Sequence, residues 1–472
     1  MSAGIVPESF VGLLAAFASC FGAPSARTFE LLVVGWVHCL GRRTITAVAL
    51  ASGGVGRRHV SVFHRFFSRA VWSLDDLGRV LFSLAAAWVP ADEPLYLVLD
   101  DTLARKSGKG VALASMHHDP LLSTKRKPFF SFGHVWVVLA LWVPLPMGGA
   151  RGFALPLAFR LYVGAKRGDQ RDAPSRATTG VRLRAAQAAH PPASQRPTKL
   201  ARQRELIGLV ATWAGDRTLY ALVDSAYAGK ELLRDRPPTV HVISRLRLDA
   251  ALWTRPRRRC PGQIGRPRKR GKRVPAPQVL AAGWRHWRPL PVTLYGRTVA
   301  PHVFTLTALW YAALPEHPVR IVVVRDPMRR RQDEAFFCTD PGATDGFILE
   351  GYARRWTLEV TFHDTKQHLG LADPQAQSPT AVRRTAPVAG LVYALVLLWY
   401  ADQVHPDVAA GHAPNGWPDR PWYRAKTTPS FPDMLTALRR AGWRRYLLAA
   451  PMPSRRPRNP AFSWPDAVLA TA

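Results

Sequence analysis

The spacing of apolar residues changes along the chain, and the change divides it into helical and strand-rich parts. In residues 10–21, 29–37 and 74–87, apolar side chains recur every three or four positions, which predicts amphipathic helices. From Leu95 the apolar residues form short continuous runs instead, and such runs are typical of strands covered on both faces of a sheet. A helical region is therefore expected to precede a layered α/β region.

The strand-like runs alternate with helical stretches up to about residue 248. Strands are predicted at residues 95–99, 134–143, 153–163, 218–223 and 240–246, and helices at residues 199–214 and around Lys230. A polar stretch at residues 166–197, rich in Pro, Ala and Arg, predicts a loop. Three strands followed by helix, strand, helix and strand indicate the fold class α/β.

Residues 249–342 interrupt this succession and read as a β-rich insertion. The segment opens with a basic run at residues 255–273 and continues with strand-like runs at 292–295, 303–309 and 319–324. Glycine and proline flank the cations of the basic run, which favours contact with nucleic acid over a solvated charged surface. The cations of its central motif are Arg266, Arg268, Lys269 and Arg270. We expect this run to stay disordered until it meets phosphate.

Helical patterning returns after residue 343. The longest uncharged apolar run, residues 386–401, contains Pro387 and is short for a membrane span, so it predicts a core helix and no transmembrane segment. These changes suggest five regions. They are a helical N-terminal region that we expect to bind DNA (1–90), the first part of a core (91–248), the β-rich insertion (249–342), the second part of the core (343–405) and a C-terminal region that could mediate oligomerisation (406–472).

The charge of the chain points to a polyanionic partner. Its 472 residues include 65 Lys and Arg against 32 Asp and Glu, giving a formal net charge of +33. Such an imbalance excludes the surface of an ordinary metabolic enzyme and indicates DNA, RNA or an anionic membrane. GC-rich coding drift would also enrich arginine. The short apolar runs make the membrane the least favoured partner. The four cysteines lie far apart without zinc-site spacing, so they predict reduced thiols and a cytoplasmic protein.

One stretch of the N-terminal region resembles a DNA-reading motif. A short predicted helix is followed by Gly53-Gly54 and then by a second, basic helix, with cations at Arg57, Arg58 and Arg65. This succession is the outline of a helix-turn-helix. A basic helical bundle with a solvated face explains the same pattern equally well.

Three acidic residues have the surroundings expected of a metal site. Asp100 and Asp224 each follow an apolar strand, where sheet folds place their active sites, and Glu359 lies on a predicted helix. Hard carboxylate oxygens in such a cluster suit two Mg²⁺ ions, for which Mn²⁺ would substitute. Asp101 is the alternative to Asp100, because successive residues of a strand point to opposite faces.

The helix that carries Glu359 adds polar residues along a single stripe. At 100° per residue, one helix through this segment places four side chains within a stripe roughly 60° wide: Tyr352, Arg355, Glu359 and Lys366. A guanidinium, an ammonium and a phenol around one carboxylate would face a phosphate backbone well. An exposed helix with an Arg355–Glu359 ion pair is the simpler alternative.

The spacing Tyr352-x2-Arg355-x3-Glu359-x6-Lys366 resembles the Y-(2)-R-(3)-E-(6)-K signature of DDE insertion-sequence transposases. The segments around Asp100 and Asp224 are similar to the two aspartate motifs of that family. The resemblance implies an RNase H-like catalytic core, cleavage at transposon ends and strand transfer by the freed 3′-hydroxyl. Asp100, Asp224 and Glu359 would hold the metals, and Tyr352, Arg355 and Lys366 would grip phosphates.

The resemblance also implies the partners of the protein. They are double-stranded DNA, as terminal inverted repeats and as target, and a second copy of the chain in a synaptic homodimer. Members of this branch stack a flipped base on an aromatic residue of the insertion, for which the sequence offers four candidates: Trp253, Trp284, Trp287 and Trp310. Two alternatives remain, a catalytically silent DNA-binding protein and a metal-dependent endonuclease without strand transfer.

Overall fold

The computed structural model describes residues 6–108, 110–124, 126–164, 196–257, 264–411 and 426–449. Cys260 and almost all of the loop expected at residues 166–197 lie outside them. The N-terminal part is helical, and side-chain caps at Thr44 and Ser73 begin two of its helices. The helices are α1 (Glu8–Ala15), α2 (Ala23–His38), α3 (Ile45–Ala51), α4 (Ser61–Ser68) and α5 (Leu74–Ala86), with a 3₁₀ turn at Ala18–Cys20.

A mixed sheet forms the centre of the molecule. Its first strands are β1 (Leu95–Arg105), β2 (Ser115–His118), β3 (Phe130–Val143), β4 (Phe153–Tyr162), β5 (Leu219–Leu222) and β6 (Val240–Leu246), with a 3₁₀ turn at Pro146–Arg151 and helices α6 (Lys199–Ala214) and α7 (Lys230–Arg234). Strand β1 pairs antiparallel with β3 and parallel with β5. Strand β4 pairs antiparallel with β3, and β6 pairs parallel with β5. The resulting order β4-β3-β1-β5-β6 is consistent with an RNase H-like fold.

Strands from residues 249–342 extend this sheet beyond β6. Strand β14 pairs with β6, and β13, β12 and β9 follow in turn, so the sheet has ten strands in the described part of the chain. The remaining strands form two short ribbons, β7 with β8 and β10 with β11. The elements of this segment are β7 (Leu252–Trp253), β8 (Arg273–Val274), α8 (Pro277–Gly283), β9 (Arg288–Pro289), β10 (Val292–Leu294), β11 (Arg297–Val299), β12 (His302–Ala308), β13 (Val319–Arg325) and β14 (Glu334–Cys338).

Among the described residues, five helices follow the sheet, and one of them organises the core. They are α9 (Asp345–Arg354), α10 (Trp356–Leu369), α11 (Pro379–Gln403), α12 (His405–Ala409) and α13 (Phe431–Ala449). Helix α11 contains Pro387 and packs against α1, α2, α4, α5 and β4, so the N-terminal helices share its core. By length and composition alone it could cross a membrane, but 89% of its most apolar window is buried inside the protein. The apolar run at 386–401 thus forms the predicted core helix.

The prediction of a single helix through residues 352–366 is wrong in one respect. The chain forms two helices, α9 and α10, which meet at Arg355. At the junction the N–H of Arg355 donates to the carbonyl of Tyr352, and the N–H of Leu358 donates to that of Arg355. These bonds span three residues instead of four, which tightens the turn. The Thr357 hydroxyl also donates to the Arg354 carbonyl at 2.7 Å and so competes for the helical acceptor.

Candidate active site

The two aspartates Asp100 and Asp224 leave neighbouring parallel strands at the same level. The last residue pair between β1 and β5 is Val98 with Leu222, and each aspartate lies two residues beyond its member of that pair. Adjacent strands lie about 4.8 Å apart, and residues two apart on a strand share a face. The register of the two strands therefore brings both aspartates to the same edge of the sheet.

Arg355 joins Asp100 to Glu359. One terminal nitrogen of its guanidinium donates to Asp100 Oδ2 and the other to Glu359 Oε1, each at 2.7 Å. The side chains of Arg355 and Asp100 are mostly buried, with 14% and 20% of their surfaces exposed. Burial raises the pKa of Asp100 to about 6, although the positive charge of Arg355 opposes that shift. The strand-end aspartate and the helix glutamate are thus brought together around one cation.

Asp101 points away from this pair, as alternation along the strand predicts. Its Oδ2 accepts from Lys199 Nζ at 2.6 Å, and its Oδ1 accepts from the phenol of Tyr227. Burial, and next the charge of Asp101, raise the pKa of Tyr227 far above its ordinary value, so the phenol remains a donor. Both oxygens of Asp101 are therefore already engaged.

The remaining residues of the predicted stripe lie at different distances from the acids. The ring of Tyr352 packs on Phe336, with centroids 4.9 Å apart, and the guanidinium carbon of Arg355 lies 5.8 Å from the Tyr352 ring centroid. Burial raises the pKa of Tyr352, and nearby Asp224 raises it further. Tyr352 therefore lies near Asp224 and next to Arg355, which in turn binds Glu359.

Lys366 lies farther along α10, seven residues and about 10 Å beyond Glu359. Burial lowers the pKa of Lys366 to about 8, and the positive charge of Arg105 lowers it further, while Asp119 opposes the shift. Lys366 thus lies next to the end of β1, away from the three acids of the candidate site.

The predicted N-terminal cations lie on a separate part of the molecule. Arg57 is exposed, and Arg65 is exposed on α4, where it donates to the Ser61 hydroxyl at 2.7 Å. Arg58 instead donates to the Thr28 hydroxyl at 2.9 Å, which ties the turn to α2. Helices α2, α3 and α4 pack together, as a helix-turn-helix requires. Arg57 and Arg65 are therefore the cations of this motif that face solvent.

The cations of the basic run are exposed as well. Arg266, Arg268, Lys269 and Arg270 all face solvent, and none of them pairs with the acids of the candidate site. Arg270 stacks on Trp253, with its guanidinium carbon 3.9 Å from the ring centroid. Arg270 thus makes a cation–π contact with the insertion, and disorder of the run in the absence of phosphate stays a prediction. Residues 258–263 of the run lie outside the described residues.

All four tryptophan candidates for base stacking have partners within the protein. Trp284 stacks on Phe304 at 4.5 Å, and Trp310 meets Phe337 edge-on at 5.4 Å. Arg325 lies 3.8 Å from the ring centroid of Trp287, and Trp253 lies beneath Arg270. No member of the four is distinguished by these contacts.

Sequence reasoning missed three residues around the site. Arg354 stacks on Tyr96 and Trp142, with its guanidinium carbon 4.0 Å and 4.1 Å from their ring centroids, and so fixes the start of the Glu359 helix over the sheet. Lys199 and Tyr227 hold Asp101. A signal existed only for Tyr227, which lies three residues after Asp224, one turn away.

The donor chemistry of the three acids suits divalent cations, because carboxylate oxygens are hard ligands. In the residues that the structure describes, however, no group of three His, Cys, Asp or Glu side chains is close enough to hold one ion. Arg355 accounts for the separation of Asp100 and Glu359, since its guanidinium lies between their carboxylates. Asp100, Asp224 and Glu359 fit a metal site in ligand type, and Arg355 offsets part of the negative charge of Asp100 and Glu359 in the arrangement observed.

The model of the DDE superfamily endonucleases matches residues 16–290, which is more than half of the chain. The protein therefore belongs to this family of transposase-like nucleases. Enzymes of the family act on DNA and generally use divalent metal ions. The matched segment includes Asp100 and Asp224 and ends before Glu359. A comparison with curated proteins gives no match.

Proposed function

We propose that this protein is a cut-and-paste DNA transposase, which cleaves DNA at transposon ends and joins the freed 3′-hydroxyl to target DNA. The observation that carries the proposal is how the fold connects Asp100, Asp224 and Glu359. The first two leave parallel strands in register, and Arg355 links the first to the third. The family match and the net charge of +33 support DNA as the substrate.

In this proposal Asp100, Asp224 and Glu359 hold two Mg²⁺ ions, for which Mn²⁺ substitutes. Bound ions would supply Lewis-acid activation of the attacking hydroxyl and charge stabilisation at the leaving oxygen. Asp100 is favoured over Asp101 as the first ligand, because Tyr227 and Lys199 already engage both oxygens of Asp101. Asp100 instead shares the guanidinium of Arg355 with Glu359, so these two carboxylates lie on either side of one group.

We propose that the protein's own cations position the DNA. Tyr352 and Arg355 lie beside the acids and would bind the phosphates next to the cleaved bond, with Lys366 on phosphates farther along α10. Arg355 balances Asp100 and Glu359 in the structure, so it becomes free for phosphate when these carboxylates coordinate cations. Arg57, Arg58 and Arg65, with the basic run Arg266, Arg268, Lys269 and Arg270, would bind more distant DNA.

We further propose that residues 1–90 form a DNA-binding region, that residues 91–248 and 343–405 form the catalytic core around the insertion 249–342, and that residues 406–472 contribute to a synaptic homodimer. The enzyme would act on inverted repeats in the bacterial cytoplasm, at the nucleoid. The exposed cations Arg57 and Arg65 support the first of these assignments, and the register of the strands that lead to Asp100 and Asp224 supports the second.

Substitution of the acids tests the catalytic assignment. Asp224→Asn or Glu359→Gln is expected to abolish cleavage of a donor plasmid that carries the reading frame with its native flanking DNA. DNA binding should persist, because these side chains are assigned to metal and not to phosphate. Asp249→Asn is the matched control, since Asp249 is an exposed acid paired with Arg247. Loss of DNA binding by folded Asp224→Asn protein would contradict the assignment.

A joining assay separates transposition from the alternatives. Wild-type protein with Mg²⁺ is expected both to release the donor fragment and to join its ends to a target plasmid. Release without joining would identify a metal-dependent endonuclease. Tight binding of the ends without any release, with Mg²⁺ or with Mn²⁺, would identify a silent DNA-binding protein.

A further inference from the structure

Residues 115–133 form a β-hairpin that buries polar side chains and exposes apolar ones, the reverse of an ordinary surface strand. We call this segment the arm; it comprises β2, the loop that follows and the first residues of β3. Ser115, His117 and Ser131 are buried, whereas Met116 and Phe130 are exposed. Solvent-facing strands usually bury apolar side chains and expose polar ones. The arm presents its apolar face outward.

The buried face of the arm is held by polar contacts. Asp119 Oδ2 accepts from the Ser131 hydroxyl at 2.6 Å and from Arg105 Nε at 2.8 Å, and Asp119 Oδ1 accepts from the N–H of Leu121 at 3.2 Å. Burial favours the neutral acid, but the hydrogen bonds from Ser131 and Arg105 lower the pKa of Asp119 below its ordinary value. Asp119 is thus an ionised anchor that fixes the arm to β1.

The outer face and the loop expose large apolar side chains next to cations. The exposed fractions are 84% for Leu121, 50% for Leu122 and 52% for Phe130. Arg126 and Lys127 are exposed in the same loop. Among the described residues from 102 to 133, Asp119 is the sole acid, and Arg105 neutralises it. The surface that the arm offers is both apolar and positively charged. Apolar patches of this kind usually mark an interaction site.

The base of the arm adjoins the helix that carries Glu359. Arg105 and Asp119, which anchor the arm, are also the charged groups that shift the pKa of Lys366. Lys366 and Glu359 both lie on α10. A polyanion that runs along α10 from the acids past Lys366 would therefore reach the arm.

We propose that the arm binds duplex DNA beside the cleavage site, with Arg126 and Lys127 on phosphates and the apolar side chains in a groove. Aliphatic and aromatic side chains next to cations are the means by which proteins insert into DNA grooves. A second copy of the chain fits less well, because a symmetric contact would bring identical basic loops together. This inference rests on the proposed function, because that function assigns the acids beside the arm as the cleavage site.

Equilibrium DNA binding without metal tests the arm separately from catalysis. Fluorescence anisotropy with a labelled random-sequence duplex, in EDTA and at several salt concentrations, gives both the affinity and its salt dependence. Arg126→Ala with Lys127→Ala is expected to weaken binding and to reduce the slope of log K against log salt by about two. Leu121→Ser with Phe130→Ser should weaken binding at least about tenfold with the slope unchanged, since it removes apolar contacts only.

Two control variants match these changes elsewhere on the surface. Arg79→Ala with Lys230→Ala removes two exposed cations from α5 and α7, and Val279→Ser removes an exposed apolar side chain from α8. Both controls are expected to bind DNA within about twofold of wild type, and circular dichroism is used to check that each variant folds. Arm variants that bind as tightly as the controls would overturn the proposal.

The same variants show whether the arm contacts a second copy of the chain instead of DNA. They also separate failure of the arm proposal from failure of the proposed transposase function. If Leu121→Ser with Phe130→Ser converts a dimer to a monomer in sedimentation while DNA affinity is unchanged, the arm contacts a second copy and the proposal is overturned. If the arm variants lose DNA affinity but the wild type fails to cleave with Mg²⁺, the proposed transposase function fails and the arm assignment stands.

Discussion

Tyr227 connects the two strand ends that carry the aspartates of the candidate site. Its backbone N–H donates to the carbonyl of Asp224 at 2.9 Å, and its phenol donates to Asp101 on the neighbouring strand. The turn after β5 is therefore tied to the end of β1. Because Asp100 is adjacent to Asp101, this tie sets the separation of the two proposed ligands, and Tyr227 acts as a positioning residue.

Tyr227→Phe is expected to weaken Mn²⁺ binding, measured calorimetrically, by roughly tenfold or more. The affinity for DNA in EDTA should be unchanged, since the phenol is turned toward Asp101. Tyr220→Phe is the matched control, because it removes a tyrosine–aspartate hydrogen bond, from the phenol of Tyr220 in β5 to Asp340 at 2.7 Å. Equal Mn²⁺ affinities in both variants would show that Tyr227 has no positioning role.

Secondary structure was predictable wherever one period dominated the sequence. Strand β6 occupies the predicted residues, and α6 matches residues 199–214. Strand β1 continues six residues beyond its apolar run, because Asp100 through Arg105 stay paired with β3 although the apolar run ends at two aspartates. Strand β2 carries no apolar run, and its pairing depends on β3. Long-range pairing of this kind leaves no local pattern.

The acids of the candidate site could be predicted from the sequence, and most of the side chains that contact them could not. The position after an apolar strand identified Asp100 and Asp224, and their shared level follows from the pairing of Val98 with Leu222. Periodicity also made Arg355 and Glu359 neighbours. The ion pair between Arg355 and Asp100 depends on how α10 packs on the sheet. The spacing of residues along one helix carries no information about that packing. The role of Lys199 is hidden for the same reason.

At the scale of elements, Gly370 ends helix α10. It adopts a left-handed conformation, with φ of 61° and ψ of 39°, which L side chains adopt at a cost. A Cβ on Gly370 would lie 2.3 Å from Asp373 Oδ2 and 2.9 Å from Arg43 Cβ. Asp373 Oδ2 accepts from the N–H of Arg43 at 2.8 Å, so this contact joins α10 to the N-terminal helices.

Gly370→Ala is therefore expected to lower the free energy of unfolding by about 1–3 kcal/mol, through backbone strain and steric conflict. Denaturant titration followed by circular dichroism measures the change. Gly208→Ala within α6 is the control, because its added methyl group would meet nothing within 4 Å, and alanine favours the helix. A Gly370→Ala protein as stable as wild type would refute the strain argument.

At the scale of the whole molecule, the first and last described parts of the chain share one core. Arg384 of α11 donates to the carbonyls of Ala70 and Trp72, each at 2.7 Å, and its guanidinium lies 4.3 Å from the Trp72 ring centroid. Trp36 of α2 donates to the carbonyl of Leu369 at 2.8 Å. The N-terminal helices thus pack part of their apolar surface against elements more than 300 residues away.

A fragment of residues 1–90 is accordingly expected to lack a cooperative thermal transition, because it leaves the face covered by α11 exposed to water. The full chain should unfold with the N-terminal helices and the sheet in a single calorimetric transition. A fragment that melts cooperatively at the temperature of the full chain would show that these helices fold independently.

The pairing of β14 along β6 has a consequence for how such proteins can be shortened or recombined. Deleting residues 249–342 would strip β6 of its neighbour and leave its backbone amides and carbonyls open to pairing with other chains. A trimmed variant would therefore form intermolecular aggregates even if every catalytic acid were retained. The segment cannot be exchanged as an independent unit, since any replacement must also provide a strand that pairs with the open edge of β6.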